Sequence, residues 1–79
     1  MSKYGTKTNL KTSEVIKKAI NFFGEGGLGL EITDMDSDRV CLKGAGGFVT
    51  VIACPNDETE VDIETREWDH QVKEFMREL

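Results

Sequence analysis

The segment Gly44-Ala45-Gly46-Gly47 followed by Phe48-Val49-Thr50-Val51-Ile52-Ala53-Cys54 narrows the choice of folds furthest. It is a short apolar run, rich in β-branched residues, opened by a glycine turn and closed by Pro55. Such a run reads as a buried strand, here the second arm of a β-hairpin and a central strand of its sheet. Arg39-Val40-Cys41-Leu42-Lys43 is the first arm, with Val40 and Leu42 on one side. A turn centred between Ala45 and Gly46 pairs Lys43 with Phe48 and Cys41 with Thr50.

The flanking segments make sense as partners or covers for that hairpin. Leu28 to Asp34 alternates, with Leu28, Leu30 and Ile32 expected inward, and the turn Met35-Asp36-Ser37-Asp38 follows. Glu60-Val61-Asp62-Ile63-Glu64 alternates again, with Val61 and Ile63 inward. A helix is expected from Thr12 or Ser13, capped by a hydroxyl and carrying the stripe Val15, Ile16, Ala19, Ile20 and Phe23. Gly24 is expected to end it in the left-handed conformation. A second helix, starting near Thr65, places Trp68, Val72, Phe75, Met76 and Leu79 on one side, with Trp68 as its largest anchor.

The fold class is therefore α+β in the order α-β-β-β-β-α, a four-stranded antiparallel meander with two helices packed on one face. Seventy-nine residues make one domain. Residues 1–11 are polar and aperiodic and are expected to form a flexible N-terminal tail, leaving 12–79 as a single small α+β domain. A core this small is marginal alone and gains from a disulfide, a metal or a second chain.

Net charge is −5, which disfavours a nucleic-acid partner. No stretch approaches the ~20 apolar residues of a membrane span. The first residues lack the apolar core of a signal peptide, which points to the cytoplasm. Charge is unevenly spread: Lys3, Lys7, Lys11, Lys17 and Lys18 face only Glu14 near the start, while acidic residues crowd positions 57 to 69. Two solvated faces explain this, as do two ends lying side by side or one copy steering another.

Candidate chemistry is thin. Gly24-Glu25-Gly26-Gly27-Leu28-Gly29 spells the dinucleotide fingerprint, but a helix precedes it and a strand follows, the reverse of what phosphate binding requires. Asp34, Asp36 and Asp38 have the first spacings of a calcium loop, yet Arg39 stands where glycine should and Ala45 where glutamate should, so a turn is the better reading. Cys54 lies about 13 Å along the strand from the partner of Cys41, too far for a disulfide or a shared metal. His70, flanked by Glu67 and Glu74, is exposed on its helix. No nucleophile has a base at a recognisable spacing, so no catalytic, cofactor-binding or metal-ligating residue is assigned.

One surface stands out. If both helices cover one side of the sheet, the other side carries Phe48, Thr50, Ile52, Cys54 and nearby Cys41 on or beside the central strand, rimmed by Glu31, Lys43 and Asp62. A solvated sheet face should be polar throughout; an apolar strip with a charged rim has the layout of an interface. The function read from this is a small non-catalytic interaction module, acting by self-association as a homodimer, or as an accessory subunit of a larger assembly. A small-molecule-binding protein or minor enzyme using the same face is the alternative.

Overall fold

The computed structural model describes residues 1–79. The elements are β1 (Ser2–Thr8), α1 (Thr12–Phe23), β2 (Glu31–Met35), β3 (Arg39–Gly44), β4 (Gly47–Cys54), β5 (Thr59–Arg66) and α2 (Asp69–Arg77). They form a five-stranded sheet in the order β1-β5-β4-β3-β2, antiparallel at every pairing. The α+β class and the meander β2 to β5 are as expected; the strand count is not. Residues 2–8, expected as part of a loose tail, are a fifth strand paired with β5 from Ser2↔Thr65 to Thr8↔Thr59. The strand exists because Tyr4, Thr6 and Thr8 turn to the helix side while Lys3 and Lys7 face out, an alternation that suits a sheet edge.

The central hairpin has the expected register, with Lys43↔Phe48, Cys41↔Thr50 and Val40↔Val51. Ala45 and Gly46 both take positive φ, 50° and 79°, as a tight two-residue hairpin turn demands. Strand β4 is central on every count: Val49, Val51 and Ala53 are fully buried against the helices. Thr65 was expected to begin the last helix, but β5 runs on to Arg66 and buries Thr65, whose hydroxyl donates to the Phe48 carbonyl at 2.8 Å. The helix starts only at Asp69, after Glu67 turns the chain with φ 75°.

Helix α1 packs on β3 and β4, and α2 on β5. Val15, Ile16, Ala19 and Phe23 from α1 meet Val72 and Phe75 from α2 over a floor of Val40, Leu42, Val49, Val51, Val61 and Ile63. Where the helices touch, the rings of Phe22, Phe23 and Phe75 pack with centroids 4.9 to 5.6 Å apart. Trp68 is half-buried, and its indole N–H donates to the Gly44 carbonyl at 3.1 Å, so it fastens the hairpin turn to the start of α2.

Three local expectations fail for identifiable reasons. Lys11, not Thr12 or Ser13, is the N-cap of α1, and no side chain caps it. Gly24 is extended at φ −84°, and the C-terminus of α1 is instead closed by the chain folding back over it: Leu28 N–H bonds Phe22 O and Leu30 N–H bonds Phe23 O. A Cβ on Gly27 would stand 2.2 Å from Phe22 O, which is why glycine is needed there. The strand expected from Leu28 begins only at Glu31, and Leu30 alone of its apolar residues is buried. Strand β2 lies beyond the reach of the helices, so Leu28, Ile32 and Met35 stay exposed.

Candidate functional site

The side of the sheet away from the helices has nothing over it. Pairing register places its residues in rows across the strands. One row runs Glu31, Lys43, Phe48, Arg66; the next Asp34, Cys41, Thr50, Glu64, Lys3; the third Arg39, Ile52, Asp62, Gly5; the last Cys54, Glu60, Lys7. The eight residues singled out from sequence, Glu31, Cys41, Lys43, Phe48, Thr50, Ile52, Cys54 and Asp62, all fall on this surface. They do not form one site. Glu31 and Lys43 sit at the end beside Phe48, whereas Asp62 sits beside Ile52.

Read down the strands, the surface is striped. Strand β4 supplies an apolar and hydroxyl stripe of Phe48, Thr50, Ile52 and Cys54, with Ile52 36% exposed. To one side β5 carries the carboxylates Glu60, Asp62 and Glu64, and outside it β1 carries Lys3 and Lys7. To the other side β3 carries Arg39 and Lys43, and outside it β2 carries Glu31 and Asp34. Lys3 and Lys7 lie outside the surface expected from sequence because residues 1–11 read as a tail. The threonines at 6 and 8, alternating with lysines at 3 and 7, were the signal. Asp34 was missed because a bulge between Ile32 and Asp34 shifts the register and sets Asp34, not Thr33, opposite Cys41.

Arg39 is held by an ion pair with Asp34 on the neighbouring strand. A Cys41 thiolate and the Asp34 carboxylate both raise its already high pKa, so its charge is permanent. The Thr50 hydroxyl points to the Cys41 sulfur at 3.5 Å. Both cysteines are free thiols, Cys54 exposed and Cys41 half-buried. Between β1, β5 and β4 the surface dips into a concavity of about 260 Å³ lined by Lys3, Tyr4, Thr50, Ile52, Asp62, Ile63 and Glu64. A second, wholly polar hollow adjoins it at Asp62 and is lined by Gly5, Thr6, Lys7 and Glu60.

The other places where chemistry was sought are ordinary. The glycine run ends α1 and leads into β2, so no helix N-terminus follows it. Asp36 N–H bonds Arg39 O at 2.7 Å, which makes 35–39 a turn between strands. His70 is 78% exposed and meets Glu74 at 3.0 Å, one turn along α2. No three His, Cys, Asp or Glu side chains are grouped for a metal ion. No helix is long and apolar enough to cross a membrane. Comparison with family models, curated proteins and solved structures finds no match for this chain.

Proposed function

We propose that this chain is a small non-catalytic interaction module that works by associating through the open face of its sheet, with itself or as an accessory subunit of a larger assembly. The observation that carries the reading is Phe48 and Ile52 on one side of the central strand, alternating with Thr50 and Cys54, in a sheet whose two helices pack on the other side. An uncovered antiparallel sheet face is normally polar, and a central stripe that carries large apolar side chains and is framed by charge is the composition of a contact surface. The other exposed apolar group, Leu28, Ile32 and Met35 at the β2 edge, is a weaker candidate. The acidic Glu31 and Asp34 and the bulge on that strand disfavour edge-to-edge pairing.

Ile52→Lys and Phe48→Glu test the reading. Both change side chains outside the core, so the folded monomer should keep its stability to within about 0.5 kcal/mol while association is lost. Sedimentation equilibrium with and without reductant, beside denaturant unfolding, measures both. An assembly that survives both variants would sink the proposal and point to the β2 edge.

A second reading, a small-molecule-binding protein or minor enzyme, draws on the concavity beside Ile52, where Lys3, Asp62 and Glu64 surround an apolar floor. Its test is a thermal-shift screen against metabolites in which stabilisation disappears in Asp62→Ala.

A further inference from the structure

We infer that the occupant of the open face is a second copy of this chain, stacked sheet on sheet about a two-fold axis that runs along β4. The inference rests on the proposed association through this face and adds the partner and its orientation. Across the strands, the charge order is basic on β1, acidic on β5, apolar on β4, basic on β3 and acidic on β2. That order is antisymmetric about β4. A two-fold axis along β4 reverses the lateral order of the second copy, so that its β3 lies over β5 and its β2 over β1. Each stripe then lies over one of mainly opposite sign, with Arg66 the exception on β5, and the apolar stripe meets itself. The alternative two-fold, across the strands, sets Glu60, Asp62 and Glu64 against their own copies and the lysines of β1 against theirs. There only Arg66, on the β5 stripe, finds opposite charge, and the like-charged majority repels.

The match extends to rows, because rotation about an axis along the strands preserves position along them. Arg39 of the second copy comes over Asp62, at the concavity that Asp62 and Glu64 line. Lys3 comes opposite Asp34 of the second copy, and Ile52 opposite Ile52. The single like-charge meeting is Arg66 with Lys43, at the end of the sheet, where Glu31 and Glu64 are close by and both long side chains reach solvent. Five strands at ~4.8 Å by about seven residues at ~3.3 Å give roughly 550 Å² per copy, or about 1,100 Å² in all, above the ~1,000 Å² a biological interface should clear and below the standard size of ~1,200–2,000 Å². The resulting dimer is one of modest affinity whose orientation is set by charge.

A charge exchange between two variants tests the geometry. In Asp62→Lys alone, both symmetry-related contacts with Arg39 become repulsive, and self-association should weaken about tenfold or more. Arg39→Glu alone should do the same. Mixed one to one, the two variants should form a heterodimer within about threefold of the wild-type affinity, because one contact is reversed in sign and the other is unchanged. Each variant is first checked for a wild-type circular dichroism spectrum and cooperative unfolding. Orientation is read independently by cross-linking with a short bismaleimide in a Cys41→Ser background. Cys54 lies on the axis, so the two thiols face each other across stacked sheets ~10 Å apart and should link in high yield.

A wild type that stays monomeric at millimolar concentration overturns the inference and leaves association with a different protein as the reading. A dimer that Ile52→Lys dissolves, but that the mixed charge variants do not restore and Cys54 does not cross-link, overturns the two-fold geometry alone. A dimer indifferent to Ile52→Lys overturns both the geometry and the use of this face.

Discussion

The two sides of β4 differ by a single step along the chain. Val49, Val51 and Ala53 are sealed under the helices, while Phe48, Thr50, Ile52 and Cys54 look outward from the same eight residues. On the sealed side the side chains are aliphatic, the contacts are many, and no buried side-chain polar atom lacks a partner. On the outward side apolar groups alternate with threonine and cysteine, and charge is laid out in strips at either hand. Packing decides the first side: whatever is apolar and of the right volume serves. Arrangement decides the second, because the same charges in another order would not form stripes. The lesson is that one strand gives the core one set of side chains and the open surface the other, so stability and the proposed association can be altered separately.

The largest effect should come from the sealed side. Phe75→Ala removes the ring that joins Phe22 and Phe23 over the sheet and should cost about 3–5 kcal/mol, read by denaturant unfolding. Set against a native stability of about 5–15 kcal/mol, that leaves a marginally folded chain, whereas Ile52→Lys leaves unfolding almost unmoved. Comparable losses from the two would erase the distinction. A smaller effect should follow Trp68→Phe, which removes the indole donor to Gly44 and should cost about 1–2 kcal/mol by the same titration. Because that bond braces the hairpin turn, hydrogen exchange at Ala45 and Gly46 should quicken more than exchange at Val51.

The smallest effect is a pH dependence at the β1 edge. Hydrogen bonds from the Ser2 and Tyr4 hydroxyls hold the Asp69 carboxylate below its usual pKa, the Tyr4 bond being 2.7 Å long. A depressed folded-state pKa means that the unfolded chain binds the extra proton. The contribution is therefore complete above the ordinary carboxylate range, near pH 4, and is lost as pH falls through the lower folded value. The same bond raises the Tyr4 pKa and keeps the phenol neutral well into alkaline solution. Asp69→Asn should flatten the acid limb of the stability curve measured by thermal unfolding from about pH 6 to pH 2. An acid limb identical in wild type and variant would mean that this contact does not secure β1.

The hairpin was legible from residues because its turn leaves little freedom. Two central positions with positive φ fix the loop at two residues, and the pairing of six residues on each side follows. The sealed side was legible for a related reason: β3, β4 and β5 alternate strictly, and burial follows alternation. The two edge strands were not. β1 holds a single large apolar side chain, Tyr4, so its alternation is written in threonine and lysine, which a hydrophobic pattern does not register. β2 shows the opposite fault, since Leu28 and Ile32 look inward by pattern but no helix extends far enough to bury them. The open face inherits both errors. Its centre, Phe48, Thr50 and Ile52, follows from alternation alone, while the stripes of Lys3, Lys7 and Asp34 depend on the pairing of β1 and on the bulge in β2.

The placement of β1 also governs the order in which the molecule can assemble. Its partner strand comes near the other end of the sequence, and the Tyr4–Asp69 bond joins groups 65 positions apart. The pieces between them are local: α1, then three successive hairpin connections whose arms are neighbours in sequence. Closing the long loop carries the greatest entropic cost and is rewarded only once β5 has a place in the sheet. Strand β1 is therefore expected to dock last, which pulse-labelled hydrogen exchange would read as the latest protection among the strands. Until it does, β5 presents a bare edge beside its row of three carboxylates, and their mutual repulsion guards that edge against other chains during folding.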